Sequence, residues 1–382
     1  MRTNILIIGG GASGLMIASL LPKGSATIVE SNHKLGAKIL VSGGGKCNIT
    51  NREMGTEYFM GEGHFVKPAL DIFSQKKLLH WLEEKKLFPQ LRKTNQYFCK
   101  NSAQELLDIF LKEVKKQKIL LDEKVLHVTK RDKYFSVVTN KRTLSAEHVV
   151  VASGGLSFPR LGASPIGYDI AKSFGHTVIK TAPALVGFTV QKEQFFFKEL
   201  SGTSTDVEIT INETRCKGSL LFTHKGVSGP AVLDASLYWE KGKIEIDFLP
   251  CFSWDSIKGS NKKVSTLLPL PKRITKAFLV QLELEDKPFS KISPIELQKL
   301  YTLKHYIFAP AGTFGYTKAE VTKGGVCTHE VDANSMMSKK IEGLYFIGEV
   351  LDITGRLGGY NFQWAFSSAY ICFNNLGRKN EH

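Results

Sequence analysis

The side chains best equipped for chemistry in this chain of 382 residues gather in "KILVSGGGKCNITN", Lys38 to Asn51. Cys47 offers a thiol that is mostly protonated at neutral pH, and such a group can give a proton to the carbon next to one that has just received a hydride. Lys46 pulls the other way, since a neighbouring cation favours the thiolate. A third reading makes Cys47 a small buried apolar residue. The run Gly43-Gly44-Gly45 is costly inside a helix or strand, so something must come close to that backbone. Lys38 and Lys46 suit an anion, and Ser42 and Asn48 supply hydrogen bonds. The second place is "FTHKGVSGPAVL". There a strand ends at Thr223-His224, and Ser228-Gly229-Pro230 opens a helix with a capping residue and a proline in its first turn. His224 is an acid, a base or a substrate clamp, or else a structural histidine satisfied by backbone. No Ser/His/Asp set is arranged for hydrolysis, and no spacing of His, Asp or Glu suggests a metal.

Those groups need elements to hold them, and the two ends of the chain supply these. "NILIIGGGASGLMIASLL" reads as a buried strand from Asn4 to Ile8, a turn, and a helix to about Leu21, with Gly9, Gly11 and Gly14 in GxGxxG spacing. In that setting the glycines make a tight turn, admit a pyrophosphate and let the helix pack on the strand, while Ala12 and Ser13 open the helix towards the phosphates. The strand "ATIVE" ends at Glu30, whose carboxylate can take both hydroxyls of an adenosine ribose and disfavours a 2′-phosphate. Far along the chain, "IEGLYFIGEVLD" is an apolar strand from Leu344 to Ile347 that delivers Gly348 and Glu349. An acid at that place suits the ribityl hydroxyls of FAD better than any part of NAD. Gly358 and Gly359 then precede a helix from about Asn361 to Leu376. Its positive end, at Gly359, Tyr360 and Asn361, suits the N1–C2=O edge of a flavin. Between the ends, a strand from Val149 to Ala152 runs into Ser153, Gly154 and Gly155, where the chain can pass close to the cofactor. Ahead of it "EKVLHVTKRDKYFSVVTNKRTLSA" alternates like a meander of half-exposed strands, and its Val125 joins the residues expected at the cofactor. No second GxGxxG occurs, so NAD(P)H, if it is the reductant, docks transiently at the flavin.

Composition sets bounds on this reading. A chain of this length builds more than one core with ease. No apolar run approaches the roughly 18 residues of a membrane span, and the expectation is a soluble, cytoplasmic protein without a membrane partner. The six cysteines are scattered with no CxxC pair, which fits a reducing compartment and argues against a zinc site or a redox disulfide. The formal charge of +15 attracts polyanions. Much of the lysine falls in Gln75 to Lys93, Leu111 to Lys118 and Lys258 to Lys276, as a nucleic-acid footprint or as the solvated faces of amphipathic helices.

Six segments in series, "GGGASGLMIA", "GAKILVSGGGKCNITN", "ASGGLSFPRLG", "FTHKGVSGPAVLDAS", "AEVTKGGV" and "GLYFIGEVLDITGRLGGYNFQWAFSSA", resemble the BaiN/YhiN-type flavoproteins, also called the aminoacetone oxidase family, over nearly the whole chain. Ser153 stands where that family usually has threonine, and "GASPIGY" replaces a more glycine-rich loop. The resemblance implies an α/β fold in which a Rossmann-like FAD-binding lobe is built from both chain ends. Residues 1–186 and 326–382 would form it, with a β-rich lobe inserted at 187–325. The inserted lobe would carry a helical segment at about 262–307. The resemblance places Gly43, Gly44 and Gly45 against the cofactor, Lys38 and Lys46 near phosphate or a substrate anion, and Cys47 and Asn48 near the ring. It also divides the substrate three ways: uridine in ribosomal RNA, reduced to dihydrouridine; a steroid-like enone, reduced; or a small amine such as aminoacetone, oxidised. Positive charge favours the RNA, because lysine contacts to phosphate supply affinity that neither a neutral steroid nor a cationic amine can use. A flavin-loaded RNA-binding or redox-sensing protein without turnover is the reading of a different class.

Overall fold

The computed structural model describes residues 2–378. They fall into two compact units: the chain up to Pro183 together with the chain from Glu320 on, and Ala184–Ala319. The first is a Rossmann-type unit. Ile5, Leu6, Ile7 and Ile8 are all buried, as expected of a parallel strand covered on both faces. Lys118–Leu120, Ala26–Val29, Arg2–Ile8 and Thr143–Val151 lie side by side in that order. They run parallel.

Thr143–Val151 serves two partners along one side. Thr143 to Ala146 pair antiparallel with Tyr134–Thr139, the start of the meander with Val125–Arg131. Val149 to Val151 pair parallel with Leu344–Phe346, a strand from the far end of the chain. Ile8, Val29, Val151 and Phe346 therefore all end at one edge of the sheet, the carboxyl edge where open α/β sheets take their ligands. Helix Ala12–Leu20 packs on the C-terminal helix Tyr360–Arg378. A small antiparallel sheet of Asn48–Asn51, Gln96–Phe98 and Gln90–Leu91 carries the chemistry-bearing loop.

The second unit is built on one antiparallel sheet of seven strands. Their order is Tyr306–Phe308, Ile244–Asp247, Ser204–Ile211, Thr214–Thr223, Gly226–Ser228, Phe188–Val190, Pro310–Thr313. Its core is rich in phenylalanine, with Phe188, Phe197, Phe222, Phe248, Phe278 and Phe308 buried. A fully buried ring of this size is worth about 1.5–3 kcal/mol.

Three details differ from the sequence reading. The units divide near Pro183 and Glu320 rather than at Gly187 and Gly325, because Val321–Val326 pairs with Val178–Ala184 in a two-stranded sheet of its own. The helical stretch breaks into Val264–Leu267, Lys272–Gln281 and Pro294–Tyr301, and Tyr306–Phe308 is already a strand of the sheet. Ser228 belongs to a strand and caps nothing. Gly229 takes the N-cap position of Pro230–Tyr238 without a side-chain bond, and the proline does open that helix. Among the described residues no helix is long and apolar enough to cross a membrane.

Candidate active site

At the first strand end the GxGxxG turn is held by the protein itself. A Cβ on Gly9 would sit 2.5 Å from the Ala152 carbonyl oxygen, and one on Gly14 would sit 1.9 Å from that of Gly9. At Gly11 a Cβ would meet nothing within 4 Å. The open position lies at the start of helix Ala12–Leu20, which has no side-chain cap, so its first N–H groups are left for an anion. Glu30, buried just past its strand, accepts hydrogen bonds from the backbone N–H of Gly10 and of Asn32, each 2.8 Å long. The Glu123 N–H reaches the Glu30 carbonyl at 3.0 Å, which brings the start of Val125–Arg131 to the same corner.

The next two strand ends meet each other. Lys38 Nζ donates to Glu349 Oε2 at 2.7 Å, and the Thr322 N–H donates to Glu349 Oε1 at 2.9 Å. Thr322 Oγ1 accepts from the N–H groups of Leu156 (2.8 Å) and Ser157 (3.1 Å). A Cβ on Gly155 would lie 2.6 Å from that Oγ1 and 3.0 Å from Glu349 Oε1, and Gly154 is left-handed with φ +71°. Lys38, Gly154, Gly155 and Glu349 are thus gathered at one point. Thr322, buried at its centre, was missed: its motif "AEVTKGGV" marked the segment but no residue in it. Gly348, with φ +73°, packs so that a Cβ would come 2.7 Å from Ser13 Oγ and join this point to the phosphate turn.

The glycine loop is pinned to the start of the C-terminal helix. Asn51 Nδ2 donates to the Gly358 carbonyl at 3.0 Å, and Thr50 Oγ1 donates to Gln363 Oε1 at 2.7 Å. Gly359, at φ +95°, leaves no room for a Cβ beside the Thr50 backbone. Tyr360 stacks on Tyr58 with ring centroids 4.7 Å apart. The Asn361 side chain accepts from the Gly355 N–H at 2.9 Å and donates to the Gly355 carbonyl at 2.8 Å. Gly43, Gly44 and Gly45 are all left-handed, at φ +55°, +65° and +83°, and a Cβ on Gly44 would meet nothing within 4 Å. Asn48 Nδ2 donates to Gln96 Oε1 at 2.6 Å, while its Oδ1 is buried with no hydrogen-bond partner among the described residues. Ser153 Oγ is in the same condition. Two orphaned buried polar atoms and the open positions at Gly11 and Gly44 are what a long, polar, extended cofactor would fill, so these residues fit FAD.

Cys47 follows the loop at φ +46° and is 0% exposed. Burial pushes its thiol up to about 12, outweighing a side-chain hydrogen bond with Ser42 that acts the other way. The thiol is therefore neutral, and the thiolate that Lys46 would favour does not form. His224 lies in the other unit, exposed in the turn between Thr214–Thr223 and Gly226–Ser228. A further acid went unnoticed in the sequence. Asp352, half-buried, is raised above the usual carboxylate range, chiefly by burial and also by Glu62, against a hydrogen bond from the Gly324 N–H. All six cysteines are free, and no group of three or more His, Cys, Asp or Glu among the described residues could hold a metal ion.

The family described as "HI0933-like protein Rossmann domain" matches residues 3–375. The chain belongs to that family. It is 39% identical to a ribosomal RNA dihydrouridine synthase of Haemophilus influenzae, with 98% of each chain covered. It is 38% identical to a protein of the same name in Escherichia coli, again over 98% of both. A 3-dehydro-bile acid delta(4,6)-reductase of Clostridium scindens is 30% identical, over 96% of this chain and 97% of that one. Among solved structures, a quinol fumarate reductase of E. coli superposes with a TM-score of 0.53 at 12% identity, over 100% of this chain and 71% of that chain, a likeness of fold alone. The member described here is an FAD-dependent oxidoreductase, as the motifs led one to expect.

Proposed function

We propose that this protein reduces uridine in ribosomal RNA to dihydrouridine. The observation that carries the reading is the 39% identity, end to end, with a ribosomal RNA dihydrouridine synthase. The bile-acid reductase relative supports the reaction class, because reduction of an enone and of uracil is the same step: a hydride goes to the carbon β to a carbonyl and a proton to the carbon α to it. In uridine these are C6 and C5.

FAD, when bound, supplies the hydride. The chain's own residues do the rest. Glu30 would take the adenosine ribose, the Gly11-Ala12-Ser13 turn the pyrophosphate, and Glu349 with Lys38 the ribityl region. The backbone from Gly359 to Asn361 would face the ring's C2=O edge, and Asn48 Oδ1 is an acceptor waiting for a ring N–H. Val125, Ser153, Gly154 and Gly155 would line the path. For the proton, the candidates are Cys47, which is protonated, and His224, which is exposed to solvent in the inserted unit. NAD(P)H would dock transiently to recharge the flavin, and the substrate places the protein in the cytoplasm.

The test is direct. Purified protein with NAD(P)H and unmodified ribosomal RNA should give one nucleotide heavier by two hydrogens, absent from the ribosomal RNA of a strain lacking the gene. Bleaching of the flavin without any substrate-dependent reoxidation would mark a binding or sensing protein instead. Reoxidation by a steroid-like enone alone would move the assignment to small molecules.

A further inference from the structure

The segment from Lys85 to Gln104 contains no Asp or Glu but carries Lys85, Lys86, Arg92, Lys93 and Lys100. Lys85 is engaged by Glu113 at 3.0 Å, and among the described residues no Asp or Glu forms an ion pair with the others. At the head of this stretch Phe88 is 66% exposed, and Leu91, in the outer strand Gln90–Leu91, is 42% exposed. One exposed ring needs no explanation. An exposed ring beside these basic side chains, with Glu53 engaged by Asn95 in the turn, is a different matter, because ring and cations together match an unpaired base and its phosphates.

The patch is also wired to the glycine loop. The turn from Arg92 to Gln96 closes through the Arg92 N–H to the Gln96 carbonyl at 2.8 Å, with Thr94 and Asn95 both left-handed. The Arg92 guanidinium lies over the Phe98 ring, 4.9 Å from its centroid. The edge of that ring borders Gly43, where a Cβ would come within 3.1 Å of Phe98 Cε1. Gln96 holds Asn48 on the neighbouring strand.

We propose that Phe88, Lys86, Arg92 and Lys93 form the docking surface for the single-stranded RNA beside the target nucleotide, with Phe88 stacking on a flanking base. This rests on the ribosomal RNA reading above and adds where the strand lies. The sheet Gln90–Leu91, Gln96–Phe98, Asn48–Asn51 then serves as a ruler between the stacked base and the glycine loop. Charge complementarity selects RNA over an apolar protein partner for this surface.

The experiment uses the full-length, flavin-loaded protein and two probes, a fluorescently labelled single-stranded oligouridylate and purified ribosomal RNA. Phe88→Ala should weaken oligouridylate binding roughly 5- to 150-fold, the range of one lost base stack, and Phe88→Trp should restore it. Arg92→Gln with Lys93→Gln should flatten the log–log salt slope by about 1.4, two single-strand phosphate contacts. Flavin content and reoxidation by a small acceptor should stay at wild-type values in the Phe88 variants and in Lys93→Gln alone, since those side chains are exposed, while Arg92, half-buried on Phe98, is read by RNA binding only. If wild type modifies ribosomal RNA while Phe88→Ala and the double variant bind and titrate like it, the footprint is wrong and the activity stands. If wild type neither binds nor modifies RNA but reduces an enone, the footprint and the activity both fall.

Discussion

In the turn from Gly9 to Gly14 the protein occupies the space around two of the three motif glycines, and only Gly11 is open. In the loop from Gly43 to Gly45 the proportions reverse: Gly43 is hemmed in by Asn48 and Phe98, while Gly44 and Gly45 are open and all three are left-handed. The first set of glycines answers a packing demand, so its spacing announces its use. The second answers a demand for conformation and free space. Such a loop signals that something approaches, and the identity of the visitor has to come from elsewhere.

The strongest way to break this contrast is Gly14→Val, which would drive side-chain atoms into the Gly9 carbonyl. Overpacking alone costs about 1–3 kcal/mol, and here the obstacle is backbone, so the purified variant should carry no FAD. Retention of yellow colour would show that the turn can yield. Next is Cys47→Ser, which should keep flavin but slow reoxidation by substrate by about 10²–10⁴-fold if the thiol is the proton donor; wild-type rates would leave Cys47 a structural residue of the loop.

The same thiol has a signature in stability. Its native pKa is pushed from 9.0 to about 12, so between those values the unfolded chain binds fewer protons than the native one, and unfolding becomes easier as pH rises. The advantage of wild type over Cys47→Ala in urea unfolding should narrow across that window and hold steady below it. Glu30→Ala should weaken FAD by roughly 10- to 150-fold, the worth of charge-assisted bonds of about 1.5–3 kcal/mol, measured by flavin fluorescence on dilution. The smallest effect belongs to Gly44→Ala. A left-handed alanine costs about 1–2 kcal/mol, and with nothing within 4 Å of its Cβ the flavin should remain while KM for the substrate rises. Loss of flavin there would erase the distinction between the two turns.

The phosphate end of the site was legible because strand, turn, helix, strand and acid lie within Arg2 to Glu30 and each has a local rule. The flavin end was legible in kind but not in wiring. Lys38 and Glu349 are 311 positions apart, and nothing in either segment says that they pair or that Thr322 stands between Glu349 and the Leu156-Ser157 backbone. Asn361 was expected at the flavin through the positive end of its helix, and the bonds of its side chain to the Gly355 backbone are a tertiary fact that no local rule announces. Ser228 looked like a cap since serine before Gly-Pro favours one, but pairing with Leu221 keeps it in a strand. The neutral state of Cys47 follows from complete burial, which a lysine next door in sequence could not forecast.

The tie between Asn51 and Gly358, with Val149 to Val151 beside Leu344–Phe346, has a consequence for how the protein is born. A ribosome makes about 5–20 residues each second, so the glycine loop and one side of the central strand wait many seconds for partners encoded some 200 to 300 residues later. During that wait the apolar side of Val149 to Val151 is an unprotected sheet edge, the kind that invites wrong pairing. Cofactor capture can only come at the end of synthesis, and conditions that stall translation late in the message should leave a chain that is fully grown in its inserted unit yet colourless.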